Sequence, residues 1–100
     1  MENSNRKLLR DIDRATQLLL GDALRASGAT QVEVATRTGI SQNRVSKIMR
    51  LASPPATVGE IMALAAAAGA SGTQIIVQAA QQVAEQARLA ADSGAPAEGE

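Results

Sequence analysis

The chain has one hundred residues, ten Lys/Arg against ten Asp/Glu, an apolar fraction of 45%, and no aromatic residue, cysteine or histidine. That length holds a single small core, and one made of Ala, Leu, Val and Ile requires closely packed helices, so the expected class is all-α. Lack of Cys and His removes thiol chemistry and the commonest metal ligand and general base, and no apolar run approaches the roughly 20 residues that span a bilayer. An enzyme, a metal, a cofactor and a membrane partner are therefore not expected, and the protein is expected to be cytoplasmic.

The zero net charge hides an asymmetry. Residues 1–50 hold nine of the ten cations against five acids, a net +4, while residues 51–100 hold Arg88 against five acids, a net −4. A molecule polarised in this way orients in a phosphate field without any net charge.

Residues 2–10 contain no helix breaker, and Ser4 or Asn5 suits an N-cap. A first helix is expected to begin between Ser4 and Asp11 and to run through Ala26, ended by Ser27-Gly28. Ile12, Leu19, Leu20, Ala23 and Leu24 are its expected buried positions, with Leu8 and Leu9 left open. Residues 1–10 read as a basic arm or as an extension of this helix. As a helix end, its cations would pair with Asp11 and Asp13.

Thr30-Gln-Val-Glu33 is a capping box that fixes the start of a short helix. Ala35 sits where two helices cross closely, and Gly39 where a turn needs positive φ. Ser41 is the N-cap expected for the next helix, Gln42–Arg50. At 100° per residue from Gln42, the apolar Val45, Ile48 and Met49 share one arc, at about 300°, 240° and 340°. Gln42, Asn43, Ser46, Lys47 and Arg50 fall between about 0° and 140°, with Arg44 on the flank. That face holds amides, a hydroxyl and cations but no carboxylate. Amides read adenine edges and cations read guanine or phosphate, whereas a carboxylate would be repelled by a DNA backbone.

Arg50-Leu-Ala-Ser53-Pro54-Pro55 reads as a loop. Thr57-Val-Gly-Glu60 is a second capping box, opening a helix to about Ala68 with Val58, Ile61, Leu64 and Ala65 inward, stopped by Gly69. Ser71-Gly-Thr-Gln74 is a third, opening a long helix to about Ala91, roughly 30 Å. Ile75 and Ile76 suffice to dock it on the core, and its stripe Ile76, Ala80, Val83, Ala87 and Ala90 suits close packing against a partner helix, as from a second copy; the alternative is a helix lying back over its own domain or fraying in solvent. Residues 92–100 are acidic and rich in breakers and read as a disordered tail.

Gln31 at the head of its helix, with Ala35, Gly39, Ile40, Val45 and Ile48, resembles the helix-turn-helix of the lambda-repressor/Cro superfamily. Leu20 and Leu24 upstream, and Ile61, Leu64, Ala65 and Gly69 downstream, extend the resemblance over about residues 18–78. Met49 stands where that family commonly has an acidic residue. The resemblance implies a five-helix DNA-binding domain over residues 11–78, followed by a C-terminal helix extension over 79–91. It implies phosphate contact by Gln31, which can also brace the amide at the first position of the recognition helix, here Gln42. Arg6, Lys7, Arg10 and Arg14 resemble the basic arm that some phage repressors wrap around DNA, which makes Arg6, Lys7 and Arg10 candidate arm contacts.

The expected function is that of a sequence-specific repressor of phage or plasmid type, binding double-stranded DNA. Gln42, Asn43, Ser46 and Lys47 are the candidate base contacts. Gln31, Ser41, Arg44, Arg50 and Ser53 are the candidate phosphate contacts, and Ile76, Ala80, Val83 and Ala87 the candidate contacts of a homodimer. A monomer on an asymmetric site is the alternative to the dimer. The alternatives in function are an autoregulating antitoxin whose C-terminal helix binds a toxin, and the DNA-binding subunit of a recombination complex.

Overall fold

Side-chain caps and left-handed turns set most of the element boundaries. The computed structural model describes the backbone of residues 2–98 and the side chains of residue 7 and residues 10–92. Five helices follow in order: α1 (Glu2–Ser27), α2 (Gln31–Thr38), α3 (Gln42–Met49), α4 (Val58–Ala67) and α5 (Gly72–Glu98), with no strand among the described residues. The fold is all-α, as the composition requires.

Thr30 and Thr57 close complete capping boxes with Glu33 and Glu60 at the starts of α2 and α4. Ser71 Oγ accepts from Gln74 N at 3.1 Å, the cap half of the third expected box. Gly39 ends α2 at φ 79°, its N–H donating to Ala35 O. This is the left-handed turn that glycine adopts without a Cβ clash. α3 ends differently. Leu51 takes φ 63°, and the bonds Leu51 N to Ile48 O and Ala52 N to Lys47 O form the double closure normally built on glycine.

The core draws on every helix: Leu20 and Leu24 of α1, Val34 of α2, Val45 and Ile48 of α3, Ile61, Leu64 and Ala65 of α4, and Ile75 of α5. Leu20, Val45, Leu64 and Ala65 are wholly enclosed. α5 runs back along α1, and these two long helices set the 56 Å long axis of a molecule only 22 and 17 Å across. At its head α5 crosses α4 so closely that a Cβ on Gly72 would lie 2.6 Å from Met62 Sδ and 3.0 Å from Met62 Cα.

Several expectations change. α1 is helical from Glu2, so residues 2–10 extend the helix; the side chains of Arg6, Leu8 and Leu9 lie outside the described residues. Val58, expected inward, is 66% exposed. It is the first residue of α4, and its side chain tilts past the helix end instead of onto the core. In α5 Ile75 docks on the core and Val83 is buried as expected, but Ala79 is enclosed in place of Ala80, because α1 covers that side. The helix also continues beyond Ala91 to Glu98, through residues expected to form a disordered tail. Extending a nucleated helix costs far less than starting one. Among the described residues no single helix is long and apolar enough to cross a membrane.

Candidate nucleic-acid interface

α3 has a sharply divided surface. Val45 and Ile48 are buried and Met49 half-buried, while Gln42, Asn43, Lys47 and Arg50 are exposed and Ser46 is half-buried. The expected polar arc therefore faces outward, supported by an aliphatic underside. Ser41 caps the helix, its Oγ accepting from Arg44 N at 3.1 Å, and the hydroxyl keeps its own proton available to an acceptor. The side chain of Lys47 has no ion-pair or hydrogen-bond partner among the described residues. Arg50 Nε donates to Ser46 O at 3.3 Å, leaving the rest of its guanidinium free in solvent.

Arg44 is placed differently from the expectation. Its Nε donates to Glu60 Oε2 at 2.9 Å and Nη2 to Glu60 Oε1 at 2.8 Å; Nη1 donates to Pro54 O and Nη2 also to Pro55 O, at 2.9 and 3.0 Å. A guanidinium with four of its five donors committed has one left for a phosphate. Arg44 clamps α3 to α4 and to the loop between them. The guanidinium holds the Glu60 carboxyl at about 2, well below the usual carboxylate range; partial burial opposes this, and the Thr57 amide adds to it. The one carboxylate beside α3 in this clamp is thus neutralised by its partner.

Gln31 also departs from the family pattern. Its Nε2 points to Met49 Sδ at 3.8 Å, a weak acceptor, instead of bracing Gln42. Met49, half-buried, supplies the acceptor. Ser53 is exposed in the loop after α3, which carries a cis Ser53–Pro54 peptide. Lys7 pairs with Asp11 at 2.8 Å, so this arm candidate is committed along its own helix, while Arg10 is exposed.

Two residues that hold the unit together carry no signal in the sequence. Gln17, only 5% exposed, donates from Nε2 to Ile48 O at 2.9 Å and accepts at Oε1 from Ala56 N at 2.9 Å. It ties α1 to the last turn of α3 and to the approach to α4. Arg37 donates to Ala67 O at 3.3 Å, putting a cation on the carbonyl end of α4, where the helix dipole favours it. Of the dimer candidates, Val83 is buried within the chain, Ile76 and Ala80 are half-buried, and Ala87 is exposed.

Two short helices are joined at a left-handed glycine, the second fixed below and polar above. A family model described as a helix-turn-helix domain matches residues 9–75. No curated protein and no solved structure matches the chain.

Proposed function

Since the chain belongs to the helix-turn-helix domain family, a family of DNA-binding regulators, we propose that it is a sequence-specific transcriptional repressor of phage or plasmid type that places α3 in the major groove. The observation that carries this reading is the exposed arc of Gln42, Asn43, Lys47 and Arg50, free of carboxylate and backed by the enclosed Val45 and Ile48. Gln42 and Asn43 lie at the end of α3 that meets base edges in this motif, and amides of their kind pair with adenine N6 and N7. Lys47 suits guanine O6 and N7, and Ser46 a short contact between them. Gln31, Ser41, Arg50 and Ser53 would hold phosphates and set the register. Arg44 is left out, because four of its five donors are committed.

Repression follows from occupying a promoter. A pair of copies would read half-sites about 34 Å apart, meeting along the part of α5 beyond Val83, where Ala87 and Leu89 are exposed. Selection of bound duplexes from a random pool tests the reading. A shared base motif is expected, two-fold symmetric if two copies bind, and its placement in a promoter should lower reporter output. Recovery of duplexes without any common motif would overturn it.

A further inference from the structure

The exit of α3 is held from outside the motif. Gln17 of α1, only 5% exposed, donates from Nε2 to Ile48 O and accepts at Oε1 from Ala56 N, each at 2.9 Å, from partners 31 and 39 residues away. A buried amide costs solvation unless it is bonded, and here both ends are. Just past the end of α3, Leu51 stands at φ 63°. This is the left-handed region that a Cβ disfavours and that glycine usually fills at a helix end. Such a conformation persists only where its surroundings enforce it.

Both observations fall on one turn. Ile48 O accepts from Leu51 N at 3.1 Å as well as from Gln17, so a single carbonyl joins the strained residue to α1. Ala52 N donates to Lys47 O at 2.8 Å, which makes the backbone of Lys47 part of the same closure. The opposite end of α3 is held independently, by the Ser41 cap and by Arg44 on Glu60. Without Gln17 the backbone bonds alone oppose the strain at Leu51. The last turn then loosens and carries Lys47 with it, while Gln42 and Asn43 stay in place.

We propose that Gln17 is a positioning residue for base recognition: by pinning the strained exit of α3 it aims Lys47, and so governs discrimination at the base pair that Lys47 reads. The proposal rests on the DNA reading above and adds to it a buried residue that never meets the duplex. Among the described residues no side chain or carbonyl orients the Lys47 ammonium, so its backbone is what aims it. Gln42 and Asn43, at the capped end, do not depend on Gln17 in this way.

The test measures binding of the intact chain to a selected duplex and to a set of duplexes each changed at one base pair. Q42A and K47A first assign the base pairs that these two side chains read. Q17M keeps the side-chain length and removes both bonds. It is expected to lose about tenfold in preference at the Lys47 base pair, the size of one base contact, and to keep its preference at the Gln42 base pair. Q17E still accepts from Ala56 N but, as a carboxylate, cannot donate to Ile48 O. It should show the same pattern, and it decides the matter if Q17M does not fold. L51G, free of the left-handed strain, should restore the Lys47 preference to the Q17M or Q17E chain. G72A, weakened far from α3, should keep the wild-type profile, because a general loss of stability lowers all affinities alike. An unchanged profile in the Gln17 variants, an equal loss at every base pair, or no restoration by L51G overturns the positioning role and leaves the DNA reading standing. A wild type that prefers no duplex overturns both.

Discussion

Arg44 of α3 and Glu60 of α4 meet side-on, Nε 2.9 Å from Oε2 and Nη2 2.8 Å from Oε1. The same carboxylate accepts from Thr57 N at 2.9 Å and so completes the capping box of α4. One side chain thereby starts a helix and fastens its neighbour. The side chains are 18% and 22% exposed, between the surface and the interior. Arg44→Ala or Glu60→Gln should therefore cost about 1–3 kcal/mol, less than a fully buried pair and more than a surface one. Urea denaturation measures this; an unchanged midpoint in both variants would show that the clamp contributes nothing.

The pair also makes stability depend on acid. The Glu60 carboxyl is lowered from 4.5 to about 2 in the folded chain, so protonation favours unfolding. Its contribution is fully present above about pH 4.5, falls as the pH drops through the folded value near 2, and is absent below that. The shift sets an upper limit of about 3 kcal/mol, reduced by partial solvent exposure. Denaturation midpoints between pH 5 and 2 should fall more steeply for the wild type than for Glu60→Gln, and parallel curves would contradict this assignment.

Gln17 has both ends of its amide engaged, so Gln17→Leu keeps the volume and removes two bonds. Ala56 N then loses its acceptor, a cost of about 1–3 kcal/mol. Amide hydrogen exchange at Ala56 should quicken more than that at Leu20, in the centre of the core. Equal protection before and after the change would mean that water replaces the side chain without penalty.

Two glycines should respond in opposite directions to alanine. At Gly72 a Cβ meets Met62 Cα at 3.0 Å, and backbone cannot yield as the nearby sulfur can, so Gly72→Ala should destabilise by about 1–2 kcal/mol. At Gly59 the nearest atom is Thr57 Oγ1 at 3.9 Å, and Gly59→Ala should stabilise by about 0.5–1 kcal/mol through helix propensity. A Gly72→Ala variant that melts no lower than the wild type would refute the close crossing of α4 and α5.

On the proposed reading, Lys47 and Arg50 differ in what they touch. Lys47→Ala should lose about 1–3 kcal/mol on the selected duplex and much less on random DNA. Arg50→Ala should weaken both alike and reduce the salt slope by about one unit. Filter binding on the two duplexes separates them, and a Lys47→Ala variant with intact operator affinity would remove α3 from the groove.

Local signals proved readable. Thr30, Ser41 and Thr57 each cap a helix by accepting from the amide three residues ahead, and Gly39 and Gly69 take the positive φ that their positions implied. The division of α3 into a buried and an exposed side follows from its 3.6-residue period alone. Legibility ended where the deciding partner is distant in the chain. Nothing near Arg44 announces Glu60, sixteen residues on, and Gln17 is invisible to a reading that builds the core of α1 from apolar residues. The stripe of α5 shifted for the same reason: a helix of Ala and Gln offers nearly equal apolar choices, and only packing against α1 selects among them.

A further consequence lies in α1 itself. One uninterrupted rod begins at Glu2, carries the exposed Arg10 and Arg14, grips the end of α3 through Gln17 and is embedded in the core at Leu20 and Leu24. Such a rod transmits tilt. The angle at which α3 points outward and the position of the flanking arginines are therefore one mechanical variable, not two. An insertion that rotated one against the other would spoil their joint alignment even with every side chain intact.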